Sequence, residues 1–313
     1  MTERRAEIVE VLRRRVLRGL QAGTLRAGDR LPSARELGAE FGVDHRIVLA
    51  AYRELVDEGL VELRPRGGIY VAPARGGPGA VPLPSEAWLV GVLAQGVSRE
   101  IPLTEIHEWF RRSVETLRLR AAVIQATPDQ IAGFCRELED DYGLVAAGVD
   151  VASISADGDP PVEIRHADLL VTTEAHALLV GRIATRLGKK VIVTEVRPDL
   201  IGGEWRMLLR KPVYVVASDR RFVDVVRGYF ASTPGADNLR FLIAGEDDLG
   251  AIPDGAPTYV TRSARDRIGG VSIKGRILPS ARVFSADTGR EIVRFIVRKN
   301  LDVLAGRPHA TAG

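Results

Sequence analysis

The stretch Leu31-Pro32-Ser33-Ala34-Arg35-Glu36-Leu37, followed by Phe41-Gly42-Val43-Asp44-His45-Arg46, decides how the first quarter of this 313-residue chain folds. Ser33 and Glu36 stand three apart, the spacing of a capping box, in which a serine hydroxyl and a glutamate carboxylate each satisfy a free backbone N–H at a helix start. This predicts a short helix opened by Ser33 and closed by Gly42, since glycine readily adopts the left-handed conformation that ends helices. Val43 turns the chain, and Asp44 caps a further helix running to about residue 57. Two short helices joined by a tight turn make a helix-turn-helix. Upstream, residues 4–20 interleave arginines with Ile8, Leu12, Val16 and Leu20, the single apolar stripe of an amphipathic helix. Downstream, β runs at 60–63 and 69–71 flank Arg64-Pro65-Arg66-Gly67-Gly68, a turn whose glycines accommodate positive φ and whose tip carries two arginines. That hairpin is a wing.

Charge supports the same region. The formal net charge is +3, and residues 1–75 hold 14 arginines against 11 acidic residues, so the remaining 30 basic and 30 acidic residues balance. Arginine's planar fork suits phosphate oxygens and guanine edges. Hydrophobic residues at 45% and charged residues at 27% describe a globular chain, not a disordered one. No apolar run approaches the ~18 residues of a membrane span, and Met1 to Glu7 lack the apolar core of a secretory signal, so a cytoplasmic location is expected. The single cysteine, Cys135, excludes an internal disulfide and a multi-thiolate metal site and reads as a small core residue.

Four prolines and three glycines within residues 73–84 can hold neither a helix nor a central strand. The expected organisation is therefore a winged helix-turn-helix at 1–73, a linker at 74–84, a helical connector suited to dimerisation at 85–118, and an α/β effector domain at 119–306. In the connector, a break at Pro102 separates two helices, with Ser98 and Thr104 as caps and Ile106, Trp109, Phe110, Val114 and Leu117 on a buried face.

The residues quoted above, with Val48, Ala51, Tyr52, Leu55, Glu58-Gly59-Leu60-Val61 and Arg66-Gly67-Gly68, closely resemble the winged-helix domain of the GntR family of transcriptional regulators over residues 5–72. Val48-Leu49-Ala50-Ala51-Tyr52 is most similar to the MocR and YtrA branches. The resemblance implies a dimer that binds a double-stranded DNA operator, as bacterial repressors do, with the recognition helix in the major groove and the wing on the backbone or minor groove. Carried over position by position, it implies contacts from Arg35, from Asp44, His45, Arg46 and Leu49, and from Arg66, Gly67 and Gly68. Where many members have Ser-Arg-Thr-Thr, this chain has Asp44-His45-Arg46-Ile47, so the operator of relatives does not transfer. The first turn of a recognition helix reaches base edges, and Leu49 one turn on suits a thymine methyl. Arg4, Arg5, Arg13, Arg14 and Arg15 are expected to face solvent or phosphate.

Beyond residue 119 short apolar runs alternate with helical stretches, the pattern of a parallel sheet with crossover helices. Strands are expected at 121–125, 149–154, 169–172, 191–194, 213–216, 239–243, 258–261 and 282–284, and helices near 128–142, 174–187, 219–231 and 287–304. The series divides near residues 196–210 into two halves, which resemble the two-lobed periplasmic-binding-protein fold; a single doubly wound sheet is the alternative. Ligands of open parallel sheets bind beyond the carboxyl ends of strands. The polar residues there are Gln125, Thr127, Thr172, Thr173, Glu174, Glu195, Ser218, Asp219, Arg220, Glu246, Thr261 and Arg262, candidates for a small-molecule effector of unknown class. Arginines would grip a carboxylate or phosphate, and glutamates an amine.

No catalytic constellation, cofactor motif or metal-ligand spacing stands out. Gly270-Val271-Ser272-Ile273-Lys274-Gly275 is neither a nucleophile elbow nor a phosphate loop, and His107, His166 and His176 lack ligand spacing. The expectation is a non-enzymatic, effector-modulated DNA-binding regulator without cofactor or metal. An architectural DNA-binding dimer without ligand, and an enzyme with an accessory DNA-binding domain, remain the alternatives.

Overall fold

A computed structural model describes residues 2–21, 25–64, 67–73, 86–115, 117–155, 158–195, 204–278 and 282–306. The expected linker and Arg66 lie outside the described residues. Helix α1 (Thr2–Gln21) buries Ile8, Leu12 and Val16, which recur once per turn as expected. Strand β1 (Arg30–Leu31) precedes α2 (Ala34–Phe41), which opens on the expected capping box. Glu36 N–H donates to Ser33 Oγ at 3.2 Å and Ser33 N–H to Glu36 Oε2 at 2.6 Å. The bond from the Ser33 N–H, followed by one from the Ser33 hydroxyl, holds the Glu36 carboxyl below its ordinary range. Gly42 closes the helix at φ 62°, where a side chain would be strained and would also strike Arg210. Helix α3 (His45–Asp57) starts at Asp44, whose Oδ1 accepts from Arg46 N–H at 2.8 Å. Strands β2 (Val61–Arg64) and β3 (Gly68–Val71) form the wing hairpin, and β1 joins it in the antiparallel order β1-β3-β2.

Two helices follow, α4 (Glu86–Val97) and α5 (Leu103–Glu115). Ser98 follows the last residue of α4 and its hydroxyl donates to Gln95 O, closing that helix, whereas Thr104 already lies inside α5 and is not its cap. The expected buried face is also corrected. Ile106 is buried, but Trp109, Phe110 and Val114 are 50%, 54% and 47% exposed. A helical apolar stripe signals that something covers it, and although α5 packs on α4 and α12, these three side chains stay outside those contacts.

The body contains two separate four-stranded parallel sheets, not one. The first comprises β4 (Arg120–Gln125), β5 (Val145–Asp150), β6 (Leu169–Thr173) and β7 (Lys190–Thr194), connected by α6 (Pro128–Tyr142), α7 (Val162–His166) and α8 (Ala177–Arg186). After α9 (Glu204–Leu208) the second comprises β8 (Val213–Ala217), β9 (Leu239–Ile243), β10 (Pro257–Val260) and β11 (Arg276–Ile277), with α10 (Arg221–Phe230) and α11 (Arg262–Ile268) between them. Helix α12 (Ala286–Leu304) ends the described chain. The sheets share one strand order, β5-β4-β6-β7 and β9-β8-β10-β11. In that order connections diverge between the first and third strands, which makes that gap the expected ligand position.

Three sequence expectations shift. The strand expected at 149–154 runs from Val145 to Asp150, because Asp150 caps a 3₁₀ turn at Val151–Ser153 and ends the ladder. Its Ala146-Ala147-Gly148 core lacks β-branched residues; Ile131 of α6 lies where a Cβ at Gly148 would stand. Residues 282–284 make a single bridge at Phe284 and no strand, since the N–H groups of Val283 and Phe284 donate to the Glu137 carboxylate. The stretch expected as a helix from 174 opens with a 3₁₀ turn, Glu174–His176, before α8.

Each face of the first sheet is covered: α6 and α12 bury Val123, Val171 and Ile192 on one side, and α7 and α8 bury Ile124 and Leu170 on the other. Because α12 crosses to the first sheet, one face of the second is left to other elements. There Val213, Val215 and Leu239 join Met207, Leu208 and Leu209 in the same cluster as Leu37, Phe41 and Leu55 of the N-terminal domain. The head and the second sheet thus share a core. Arg210 Nη1 donates to Gly42 O at 3.0 Å, and Glu40 of α2 pairs with both Arg15 and Arg276 of β11.

Candidate nucleic-acid interface and strand-end sites

Helix α3 is held by a buried face of Val48, Ala51, Tyr52 and Leu55. Tyr52 OH donates to Pro32 O at 2.8 Å, and burial pushes its phenol well up. This anchors the recognition helix to the turn before α2. Its opposite face is open: His45 and Arg46 are exposed in the first turn, with His45 Nδ1 3.4 Å from the Asp44 carboxylate. Arg35 is exposed on α2. Leu49 is half-buried and packs against the head's core, so only part of it faces outward.

Among the α1 arginines Arg15 departs from the expected solvent-facing position, whereas Arg5 stays exposed. Arg5 pairs with Glu54, Arg13 with Glu10 and Glu58, and Arg15 is buried against Glu40 with its guanidinium 4.9 Å from the Phe41 ring centre. Internal carboxylates thus neutralise several of the basic residues, whereas Arg30, Arg35, Arg46 and Arg53 show no ion pair among the described residues. Arg53 lies two turns after Arg46 on the same exposed side of α3, and the seven-residue spacing could have flagged it. In the wing, Gly68 has φ 113° and lies against the Arg30 guanidinium, Gly67 O accepts from Tyr70 OH at 3.0 Å, and Arg64 stacks 4.1 Å above Tyr70.

At the strand ends of the body, the structure gathers some of the candidates and disperses others. Gln125, Thr173 and Thr194 occupy one register row across β4, β6 and β7 and are buried. Thr173 Oγ1 donates to Gln125 Oε1 at 3.2 Å, while Gln125 Nε2 and Thr194 Oγ1 have no partner among the described residues. Thr127 caps α6, and Thr172 Oγ1 donates across the sheet to Ile124 O at 2.9 Å. Ser218 and Thr261 stand at the ends of β8 and β10, and both donate to Asp129 from the first turn of α6. The Asp219 side chain turns to Arg221, whose hydrogen bonds hold its carboxyl below the usual range. Arg220 and Glu246 pair with each other at 2.7 Å in the open, and Glu174, Glu195 and Arg262 are exposed. The single convergent set expected from sequence is therefore two smaller ones.

Asp129 was missed because an acidic residue after Pro128 reads as an ordinary helix-start charge. Its true neighbours are about 90 residues away, as its bonds to Ser218 and Asp219 span 89 and 90 positions. Cys135 is half-buried, and burial pushes its thiol up to about 11, which suits a packing role. Among the described residues no cluster of metal-ligating side chains occurs, and no helix is long and apolar enough to cross a membrane.

A capped helix-turn-helix carrying exposed arginines, buttressed by a three-stranded wing, defines a winged helix-turn-helix DNA-binding domain. Residues 5–71 match the sequence model of the bacterial regulatory proteins of the gntR family, and this N-terminal part of the chain is a GntR-family helix-turn-helix domain. It is 40% identical over 65 residues to the HTH-type transcriptional regulator Rv1152 of Mycobacterium tuberculosis, covering 21% of this chain and 54% of that protein. Over 77 residues it is 39% identical to the vitamin B6 salvage pathway transcriptional repressor PtsJ of Salmonella typhimurium, covering 25% of this chain and 16% of that protein. The chain thus spans about half the length of the first relative and far less of the second. YtrA from Sulfolobus acidocaldarius, a GntR-family transcription factor of solved structure, is 31% identical over 30% of this chain and 75% of its own, with a TM-score of 0.20.

Proposed function

We propose that the chain is a homodimeric transcriptional regulator that binds a near-palindromic DNA operator through its N-terminal domain and is modulated by a small molecule at the strand ends of its body. The observation that carries the DNA half is the open face of α3, where His45, Arg46 and Arg53 remain exposed while Arg5, Arg13 and Arg15 are taken up by internal carboxylates. On this reading Arg35, Asp44, His45, Arg46 and Leu49 meet the major groove, and the wing, with Arg66, Gly67 and Gly68, meets the backbone. The uncovered Val97, Leu103, Trp109, Phe110 and Val114 of α4 and α5 support a second copy of this chain as the partner, with the connector at 85–118 serving dimerisation. The buried but unpartnered Gln125 Nε2 and Thr194 Oγ1 support a ligand in the region 119–306.

Fluorescence anisotropy with duplexes from beside the protein's own gene, against random duplexes at fixed salt, tests the DNA half. A specific site is expected to bind at least about a thousandfold tighter than random sequence. Equal affinity for every fragment would overturn it. For the effector half, a thermal-shift screen of amino acids, sugars, nucleotides and small acids should give a reproducible rise with one chemical class. Absence of any response favours the architectural dimer.

A further inference from the structure

The carboxyl ends of β8 and β10 border the gap where the second sheet's connections diverge, the place where open parallel sheets take ligands. That gap already contains a carboxylate. Asp129 is 5% exposed and accepts from Ser218 N–H at 3.0 and 3.2 Å, Ser218 Oγ at 3.0 Å, Asp219 N–H at 3.0 Å, and Thr261 Oγ1. All the donors are neutral and belong to the second sheet, whereas the acid rides on α6 of the first. The donors are fixed from behind: Arg267 Nη1 donates to Ser218 O at 2.6 Å, and Thr261 caps α11 by accepting from Ala264 N–H at 3.1 Å. The cradle is thus built by second-sheet residues, and Asp129 fills it.

A second observation comes from the equivalent gap of the first sheet. Gln125 ends β4 beside β6, fully buried, and its Nε2 has no acceptor among the described residues; Thr194 Oγ1, in the same register row, has no partner either. Buried amides and hydroxyls in folded proteins are paired, so these two atoms call for a guest with its own hydrogen-bonding oxygens.

We propose that the strand ends of β8 and β10 form a carboxylate-binding site, that Asp129 occupies it as a tethered ligand, and that the effector is a small carboxylic acid which takes the place of Asp129 while Gln125 and Thr194 bind a carbonyl or hydroxyl elsewhere on it. This rests on the effector reading above. Displacement of Asp129 releases α6 from the second sheet. The head shares its core with the second sheet, whereas α5 packs on α12 of the first and Asn300 Oδ1 of α12 accepts from Leu117 N–H at 2.7 Å. Loosening the two sheets therefore moves the heads relative to the dimerising helices.

The test is chemical rescue in the full-length protein. Asp129→Ala empties the cradle, and Glu139→Ala removes an exposed acid from the same helix as a control. Unfolding midpoints are measured in sodium formate against sodium chloride at equal ionic strength. Formate should raise the midpoint of Asp129→Ala saturably, by at least about 2 °C, and leave the wild type and the control at their chloride values. Adding Ser218→Ala and Thr261→Val to Asp129→Ala should weaken the response, since only the Ser218 and Asp219 N–H donors then remain. If Asp129→Ala does not fold in chloride, the fraction that refolds in formate against chloride is read instead, since formate filling the emptied cradle should recover it. No preference for formate over chloride in either measurement overturns the site. Rescue by formate, combined with operator affinity that stays within twofold across a panel of carboxylic acids and in Asp129→Ala, overturns the effector reading and leaves the carboxylate site standing.

Discussion

Replacing Glu40 by alanine would remove a carboxylate that sits between an arginine of the head and an arginine of the second sheet. Arg15 Nη2 lies 2.7 Å from Glu40 Oε1, with side chains 10% and 12% exposed, and Arg276 pairs with the other oxygen from a site 28% exposed. At an effective dielectric near 20, a charge pair about 4 Å apart attracts by about 4 kcal/mol, and desolvation offsets much of that. Deleting one partner does not recover the desolvation, because the remaining charge stays buried; such deletions cost about 3–5 kcal/mol when burial is complete. Arg276 retains water and Arg15 keeps its Phe41 ring, so the expected loss is about 2–4 kcal/mol. Urea unfolding followed by circular dichroism and by tryptophan fluorescence would report it, since Trp205 packs 5.3 Å from Phe230 and 5.8 Å from Tyr259 inside the shared core. Glu54→Ala breaks the exposed pair with Arg5 and should cost no more than about 1 kcal/mol. If the two variants lose the same small amount, the bridge between head and body contributes nothing and the reasoning from burial is wrong.

Arg46→Ala should weaken operator binding by about 1–3 kcal/mol and relax selectivity at one base step; an equal loss on random duplex in anisotropy titrations would make Arg46 a phosphate contact only. Phe110→Asp places a charge in the exposed face of α5 and should raise the dimer dissociation constant at least about tenfold in sedimentation velocity, whereas an unchanged constant would exclude that face from the interface. Burial pushes the Glu137 carboxyl up to about 7, against the opposing pull of the Val283 and Phe284 N–H groups. A native acid that holds its proton more tightly than the unfolded chain contributes stability in full below the ordinary carboxylate range and loses it as pH rises through 7. Denaturation between pH 5 and 8 should show that loss in the wild type and not in Glu137→Gln; a parallel profile in both would count against this assignment.

Much of the head was legible from residue order. Ser33, Glu36, Gly42 and Asp44 act through bonds to backbone groups two to four positions away, so their spacing contains the whole interaction. The body was legible as alternating strands and helices for a similar reason, and α6 lies where its pattern placed it. Apart from strand and helix ends such as Asp150 and Thr104, errors fell where an element's neighbours are distant. Residues 282–284 have strand-like side chains, but a carboxylate from α6 claims their backbone. Trp109, Phe110 and Val114 have core-like periodicity, yet the surface that would cover them is not within the chain's described part.

Local order in this protein (the caps at Ser33, Gly42 and Asp44, the helix-turn-helix, the wing, the alternation that makes parallel sheets) was determined by the sequence alone, because each depends on contacts within a turn or a hairpin. The tertiary structure decided between one sheet and two, and it alone showed that the head shares a core with the second and that Asp129 fills the gap between β8 and β10. Those outcomes turn on apolar faces and, for Asp129, on a donor–acceptor match across 89 residues, and contacts of that range leave no periodicity in a single chain.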